Sequence, residues 1–199
     1  MENAVVTGLR VVRQSNLRRM GACLISLAAL LAAALLIQEP AHAGDGYTWT
    51  GEGNGTSWTD ACNWWPKDSC QEKYPGKEAP DDTATIEGLD SGPSAVTLGE
   101  NITLASLNLG RGPTGAAVTG GSLTLNRGLG WTGGTLNTKV NLTANSVGTV
   151  GGFDYKELKG EINNSGRLNL DSGTLSLASA AKIDNTGTFS IAKGSKVYG

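Results

Sequence analysis

From Val96 onward, apolar and polar residues alternate in short runs that Gly and Asn interrupt. Runs in which Gly is followed by an apolar or Thr side chain at every second position occur at 121–125, 134–138, 166–170, 173–177 and 187–191. Alternation of this kind is the periodicity of a β-strand that turns one side inward and the other toward solvent. After residue 93, no stretch combines helical spacing of apolar residues with a capping signal. The pattern therefore predicts an all-β fold.

The chain repeats itself near its C-terminus. Residues 162–170 read Ile-Asn-Asn-Ser-Gly-Arg-Leu-Asn-Leu, and residues 183–191 read Ile-Asp-Asn-Thr-Gly-Thr-Phe-Ser-Ile, an offset of 21 residues. Self-similarity at a fixed period is typical of solenoids, in which each unit buries its apolar side only by stacking on the next. We therefore expect residues 94–199 to form β-solenoid coils of about 21 residues each.

The repeat favours a parallel β-helix, because Asn and Gly tolerate the left-handed backbone that its sharp corners require. In the 21-residue register, the neighbours on the last two repeats are Asn164 and Asn185, Glu161 and Lys182, Leu168 and Phe189, and Leu170 and Ile191. The two Asn amides can then hydrogen-bond from coil to coil, the charged pair is an exposed ion pair, and the apolar pairs face inward. A β-sandwich or barrel is the rival fold, since it also joins short strands by turns.

Residues 1–43 are predicted to be a secretory signal peptide. Four arginines among residues 1–19 precede an uncharged, Ala- and Leu-rich run over 20–37, and the small-residue cleavage site Ala41-His42-Ala43 follows. We expect cleavage before Gly44. The alternative is an uncleaved anchor, because 18 uncharged residues approach membrane-spanning length.

Cleavage leaves 12 basic and 16 acidic residues, a net charge of about −4, with no cluster of Lys and Arg. Nucleic acid and anionic membranes are therefore poor partners for residues 44–199. Cys62 and Cys70 are the cysteines that remain. In an exported protein such an isolated pair predicts a disulfide, whereas a metal site would need further ligands that are missing nearby.

Residues 44–93 are expected to form an N-terminal cap, because a solenoid needs its exposed core end covered. This head holds four of the five tryptophans, Trp49, Trp58, Trp64 and Trp65, and both remaining cysteines. Such density has two interpretations. In the first, the rings form a sugar-stacking surface. In the second, a short loop-rich segment uses large side chains and a disulfide to build a small core. The second interpretation is favoured.

The order of motifs in the head and the first coils is similar to that of a known group of proteins. Trp49-Thr50-Gly51, Trp58 and Asn63-Trp64 precede Pro80-Asp81-Asp82-Thr83-Ala84-Thr85-Ile86, and residues 96–98 and 102–110 follow with Val-Thr-Leu and Ile-Thr-Leu-Ala-Ser-Leu-Asn-Leu-Gly. This resembles the opening of secreted bacterial Gly/Asn-rich β-helix proteins of the autotransporter-passenger and surface-protein type. The resemblance implies the same architecture and carries over no catalytic residue. The Cys62/Cys70 pair departs from the family's pattern.

Candidate chemistry is sparse. The single histidine, His42, lies in the predicted signal peptide, so residues 44–199 contain no imidazole for a Ser-His-Asp triad or a metal site. Carboxylates are the remaining acid–base groups, and the 21-residue register aligns no acidic ladder on successive coils. Gly151-Gly152-Phe153-Asp154 is an unrepeated fragment of a calcium-binding nonapeptide and predicts no metal. We expect no enzyme activity and no cofactor.

The sequence thus predicts a secreted or cell-surface β-helix that acts as a structural or adhesive module. Its expected partners are extracellular glycans or other surface proteins. The last Gly-containing unit ends at residue 191, so we expect either a fragment of a longer protein or end-to-end association. The alternative function is carbohydrate binding or processing, in which Trp131 or the head tryptophans stack on sugar and Asp154 or Asp171 supplies the acid.

Overall fold

The computed structural model describes residues 44–66, 70, 73–88, 94–110 and 115–199. The signal-peptide prediction for residues 1–43 lies outside these ranges. Within them, a 3-10 helix spans Ala61–Asn63 and the remaining regular structure is β. The strands are β1 (Gly46–Trp49), β2 (Trp64–Trp65), β3 (Thr83–Ile86), β4 (Ser94–Leu109), β5 (Ala116–Trp131), β6 (Gly134–Leu142), β7 (Val147–Val150), β8 (Lys156–Leu158), β9 (Glu161–Asn164), β10 (Arg167–Leu170), β11 (Thr174–Leu177), β12 (Lys182–Asn185), β13 (Thr188–Ile191) and β14 (Lys196–Tyr198).

The strands wind into a parallel β-solenoid of about five turns. Every described strand pairing is parallel except that of β1 with β2. A sandwich or barrel of hairpins would be built from antiparallel neighbours. The all-β solenoid prediction is therefore confirmed, and the rival fold is wrong.

Each coil contributes one segment to each of three faces. Face 1 stacks residues 94–98, 116–120, 134–137, 156–158, 174–177 and 196–198. Face 2 stacks residues 101–104, 122–125, 139–142, 161–164 and 182–185. Face 3 stacks residues 46–49, 83–86, 106–109, 128–131, 147–150, 167–170 and 188–191. The long strands β4 and β5 cross all three faces of their coils.

The predicted register of the last two coils is confirmed. Residues 167–170 pair with 188–191, which places Leu168 beside Phe189 and Leu170 beside Ile191. On face 3, Thr83 and Thr188 are separated by five rungs and 105 residues, an average of 21 per coil. Individual steps vary from 23 residues, between Thr83 and Ser106, to 17, between Ser122 and Lys139 on face 2. The corners, not the strands, absorb this variation.

The core is a stack of inward-facing files along the solenoid axis. On face 3 the inward file contains Ala84, Leu107, Leu129, Gly148, Leu168 and Phe189, and the next file contains Ile86, Leu109, Trp131, Val150, Leu170 and Ile191. Most of these side chains are fully buried, and each large one contributes about 1.5–3 kcal/mol through removal of apolar surface from water.

The last coil is less well covered. Phe189 is only partly buried, and Ile191, expected to face inward, is 51% exposed. In the part of the chain that the structure describes, β12, β13 and β14 each pair along one edge only, so no further rung packs over them. The expected ion pair is also replaced. Glu161 and Lys182 are register neighbours, but the Glu161 carboxylate lies 3.5 Å from the Lys139 ammonium on the preceding coil.

The head joins this stack directly. Its strands β1 and β3 form the first two rungs of face 3, and β3 pairs with the last part of β4. Tyr74 of the head donates a 2.6 Å hydrogen bond to the Glu100 carboxylate at a corner of the first coil. The head and the coils therefore share one continuous core.

Candidate functional site

The tryptophans of the head build its core. Trp64 contacts Trp49 and Trp58 edge-on, with ring centroids 5.0 and 4.7 Å apart. The indole N–H of Trp58 donates to the carbonyl of Pro75 at 2.9 Å, and that of Trp64 donates to the carbonyl of Trp58 at 2.8 Å. These three rings are at most 2% exposed, because the loop-rich head uses them to fill its interior.

Of the five tryptophans expected to stack on sugar, Trp65 is the one with an open ring. Trp131 is fully buried in an inward file of face 3, and its indole N–H donates to the carbonyl of Gly133 at 3.0 Å. Burial leaves Trp49, Trp58, Trp64 and Trp131 without a ring face for a ligand. Trp65 is 61% exposed on the short edge strand β2.

The predicted disulfide is confirmed. Cys62 in the 3-10 helix is bonded to Cys70, with the two Cα atoms 4.7 Å apart. Two side chains hold the preceding Gly-rich loop. The Asn63 side-chain oxygen accepts from the backbone N–H of Gly53 and Gly55, at 2.9 and 3.0 Å, and Asp60 accepts from the N–H of Asn54 at 2.8 Å. Asn63 and Asp60 are therefore structural residues of the head.

Face 3 is the least charged side of the solenoid. From β3 to β13, its outward positions are Thr83, Ser106, Gly128, Val147, Arg167 and Thr188 in one file, and Thr85, Asn108, Gly130, Thr149, Asn169 and Ser190 in the other. Arg167 is the one charged side chain in these two files. On face 2, four of ten corresponding positions are charged: Lys139, Glu161, Lys182 and Asp184.

Polar side chains on the faces hydrogen-bond along the files. Ser190 donates to the Asn169 side-chain oxygen at 2.7 Å on face 3. Within β12, Lys182 forms an ion pair with Asp184 that raises the pKa of Lys182. Between coils of face 2, Asn163 donates to the Asn141 side-chain oxygen at 3.0 Å. These ladders fix the outward side chains at the spacing of the coils, about 4.8 Å.

A second feature stands out at the corner between β7 and β8. Phe153 is fully exposed and Tyr155 is 63% exposed, although large apolar rings normally pack inward. We call residues 151–155 the aromatic corner. No role is predicted for these two rings from the sequence. The sequence feature that could have identified them is the glycine pair Gly151-Gly152 just before the two aromatic residues. The glycines interrupt the strand that would otherwise have placed alternate residues in the core.

A buried lysine holds the aromatic corner. The Lys156 side chain is fully buried at the start of β8, and its ammonium donates to the carbonyls of Gly152 at 3.0 Å and Asp154 at 2.8 Å. Burial lowers the pKa of Lys156. The Gly152 N–H donates to the Ser172 hydroxyl at 2.9 Å on the next coil. The corner is therefore fixed from inside and from its neighbour.

Two polar side chains flank the corner on adjacent coils. The strand register aligns Trp131 with Val150 and Val150 with Leu170 on three successive coils. The residues that follow them, Thr132, Gly151 and Asp171, therefore occupy equivalent places. Thr132 and Asp171 are both exposed. Two acids were considered for carbohydrate chemistry. The structure places Asp154 within the aromatic corner and Asp171 at the equivalent corner of the next coil.

Among the described residues, no group of three or more His, Cys, Asp or Glu side chains could hold a metal ion. In the same residues, no helix has the length and apolarity needed to cross a membrane. No family model, curated protein or solved structure matches this chain.

Proposed function

We propose that this protein is an exported, non-enzymatic β-solenoid that serves as a structural or adhesive module outside the cell, in the manner of the secreted bacterial β-helix proteins it resembles. The observation that carries the proposal is face 3, whose two outward files continue over six described rungs, consist mostly of Thr, Ser, Asn and Gly, and contain one charged side chain. The predicted signal peptide and the Cys62–Cys70 disulfide are consistent with an oxidising compartment.

The mechanism would be display on a rigid support. Each coil is hydrogen-bonded to the next along its strands, so the outward hydroxyl and amide groups are held in place before a partner arrives. Binding would then lose little side-chain entropy per contact, and many weak contacts would add along the face. An extracellular glycan or another surface protein offers the matching row of polar groups.

Export is tested by expression of the full chain in a bacterial host, followed by mass spectrometry of protein recovered from the medium and the cell envelope. The proposal expects a mature N-terminus at Gly44. Protein that retains residues 1–43 and remains inside the cell would contradict it.

Adhesion is tested on a panel of immobilised extracellular polysaccharides and purified cell-surface proteins. The double variant Asn108→Glu/Thr149→Glu adds two charges to face 3 at exposed positions and should lose binding. The matched control, Thr97→Glu/Asn137→Glu, adds the same charges to exposed positions on face 1 and should retain it. Equal binding by both variants would remove face 3 from the mechanism.

Carbohydrate binding through Trp65 is the second candidate, favoured by the 61% exposure of that ring. Selective glycan binding that is lost in Trp65→Ala would support it. Carbohydrate processing would need Asp154 or Asp171 as its acid. Turnover of a glycan that disappears in Asp154→Asn or Asp171→Asn would overturn the non-enzymatic proposal.

End-to-end association is a further part of the proposal. The exposed edges of β12, β13 and β14 and the half-exposed Ile191 form a surface that can pair with strands of another chain. Light scattering of the full chain and its Ile191→Lys variant tests this association, which the charge should weaken. An unchanged mass at all concentrations would contradict it.

A further inference from the structure

We propose that the aromatic corner is a binding subsite for a neutral oligosaccharide, with Phe153 and Tyr155 as stacking platforms and Thr132 and Asp171 as flanking hydrogen-bonding groups. The inference shares its ligand class with the carbohydrate-binding candidate above but assigns a different site. It is independent of display by face 3.

The buried Lys156 ammonium makes the aromatic corner energetically costly. Burial of an ammonium group is unfavourable unless hydrogen bonds compensate for the lost water. The Lys156 ammonium donates to two carbonyls of this same corner. The same inward position holds Leu175 on the next coil, so an apolar side chain could fill it. The chain instead uses a buried charge to hold a loop whose outer surface is two exposed rings. The buried ammonium therefore holds the backbone of the corner from which the two exposed rings project.

The aromatic corner is held rigidly by the two neighbouring coils. Gly152 has a φ of +80°, and a Cβ there would lie 3.1 Å from the carbonyl oxygen of Thr132. The carbonyl of Tyr155 accepts from the N–H of Gly134 at 2.9 Å on the preceding coil. The loop is thus fastened to the coils on both sides, through Gly134 and Ser172. A preorganised platform loses little entropy when a ligand binds, which matters most for weak ring contacts.

The surface of the aromatic corner combines apolar rings with polar groups. The two rings are separated by Asp154 and bordered by an exposed hydroxyl, Thr132, and an exposed carboxylate, Asp171. A pyranose has the complementary pattern, with apolar C–H faces for the rings and a rim of hydroxyls for the oxygens. A continuous apolar partner would leave these oxygens unpaired, which is unfavourable.

The charge and the dimensions of this surface further restrict the class of ligand that fits it. The carboxylates near the rings repel uronic acids and sulfated sugars, so a neutral sugar, with or without N-acetyl groups, fits best. Thr132 and Asp171 are two coil spacings apart, about 10 Å along the solenoid axis. This distance accommodates a short oligosaccharide and exceeds a single sugar ring.

The test is titration of the full chain, by NMR and calorimetry, with three hexasaccharides: cellohexaose, chitohexaose and hexagalacturonate. The expected result is binding of a neutral or N-acetylated chain and no binding of the uronate. Loss of each ring should weaken binding about tenfold. Phe153→Ala/Tyr155→Ala should therefore abolish measurable binding, while Tyr198→Ala, which removes another half-exposed ring, should leave it unchanged.

Lys156 acts as a positioning residue, and Lys156→Met tests that role with both rings intact. Hydrogen exchange at the Gly152 and Gly134 amides should accelerate in this variant, and oligosaccharide affinity should fall while the rest of the solenoid keeps its protection. Binding that persists unchanged would overturn the positioning role.

Three results overturn the subsite. None of the hexasaccharides binds at millimolar concentration, the uronate binds as well as the neutral chains, or binding survives the double ring variant. Glycan binding that is lost in Trp65→Ala but retained in Phe153→Ala/Tyr155→Ala supports the second candidate function instead. Loss of surface adhesion in the face 3 variant has no bearing on this outcome, so the two proposals fail separately.

Discussion

The side-chain amide of Asn164 donates a 2.6 Å hydrogen bond to the side-chain oxygen of Asn185, one coil further along the chain. The same amide donates to the carbonyl of Thr188 at 2.8 Å, across the corner that leads to face 3. Asn164 is buried in an inward file of face 2 whose earlier positions are Leu104, Leu125 and Leu142. A polar side chain thus replaces an apolar one where the corner needs a donor.

Asn164→Ala should lower the free energy of unfolding by about 1–2 kcal/mol, because two hydrogen bonds of about 0.5–1.5 kcal/mol each are lost and removal of the unpartnered, buried Asn164 oxygen offsets only part of that loss. The matched control is Asn163→Ala, which removes an outward side chain with one 3.0 Å hydrogen bond to Asn141. That change should cost about 0.5 kcal/mol or less. Urea unfolding of the two variants checks the difference, and equal costs would refute the assigned role of the buried amide.

Tyr74 should make stability depend on pH above 10. Its hydrogen bond to Glu100 raises the pKa of Tyr74 to about 12, compared with 10.0 in the unfolded chain. The folded state therefore keeps a proton that the unfolded state loses between these values, so the stabilisation is complete below pH 10 and disappears as pH rises toward 12.

Tyr74→Phe removes this titration. The variant should be slightly less stable than the native protein at pH 8, and the difference should shrink or reverse at pH 11. Urea midpoints at the two pH values measure it. A native-to-variant difference that grows with pH would have the wrong sign for a raised pKa.

The repeat at 162–170 and 183–191 was sufficient to predict the solenoid and the register of its last coils. The earlier coils could not be aligned from sequence in the same way. Ser122 and Lys139 are 17 residues apart, whereas Thr83 and Ser106 are 23 apart, because corners differ in length and leave no constant period. Strand alternation identifies segments, and only backbone pairing shows which face each one joins.

The candidate sites were less predictable than the fold. The density of tryptophans was compatible with both an exposed stacking surface and a small core, since both need large rings. Packing decided between them by burying Trp49, Trp58, Trp64 and Trp131. Conversely, Gly151 and Gly152 indicate an interrupted strand beside Phe153 and Tyr155, but they do not show that both rings face solvent above a corner held by the buried ammonium of Lys156. A single sequence shows a lysine there without showing its direction.

The Cys62–Cys70 disulfide should stabilise the head measurably despite its short loop. It links residues eight apart, and closure of a loop of this size is worth about 2 kcal/mol through restriction of the unfolded chain. Cys62→Ser/Cys70→Ser should lose that amount in urea unfolding, and a reducing agent should destabilise the native protein but not the variant. Insensitivity of the native protein to reduction would contradict this.

Gly134 should be intolerant of any side chain. Its φ is +88°, and a Cβ would lie 2.2 Å from the carbonyl oxygen of Ala116 on the preceding coil. The left-handed conformation alone costs a residue with a Cβ about 1–2 kcal/mol, and the clash adds to it. Gly134→Ala should therefore destabilise the protein by at least about 2 kcal/mol.

Gly99→Ala is the matched control for this change. Gly99 lies at a corner of the first coil, where a Cβ would meet no atom within 4 Å, so its replacement should shift stability by about 0.5 kcal/mol or less. Thermal and urea unfolding of the two variants give the comparison. Equal stability of Gly134→Ala and Gly99→Ala would contradict the close approach of the coils at Gly134. It would also contradict the tight stacking of face 1.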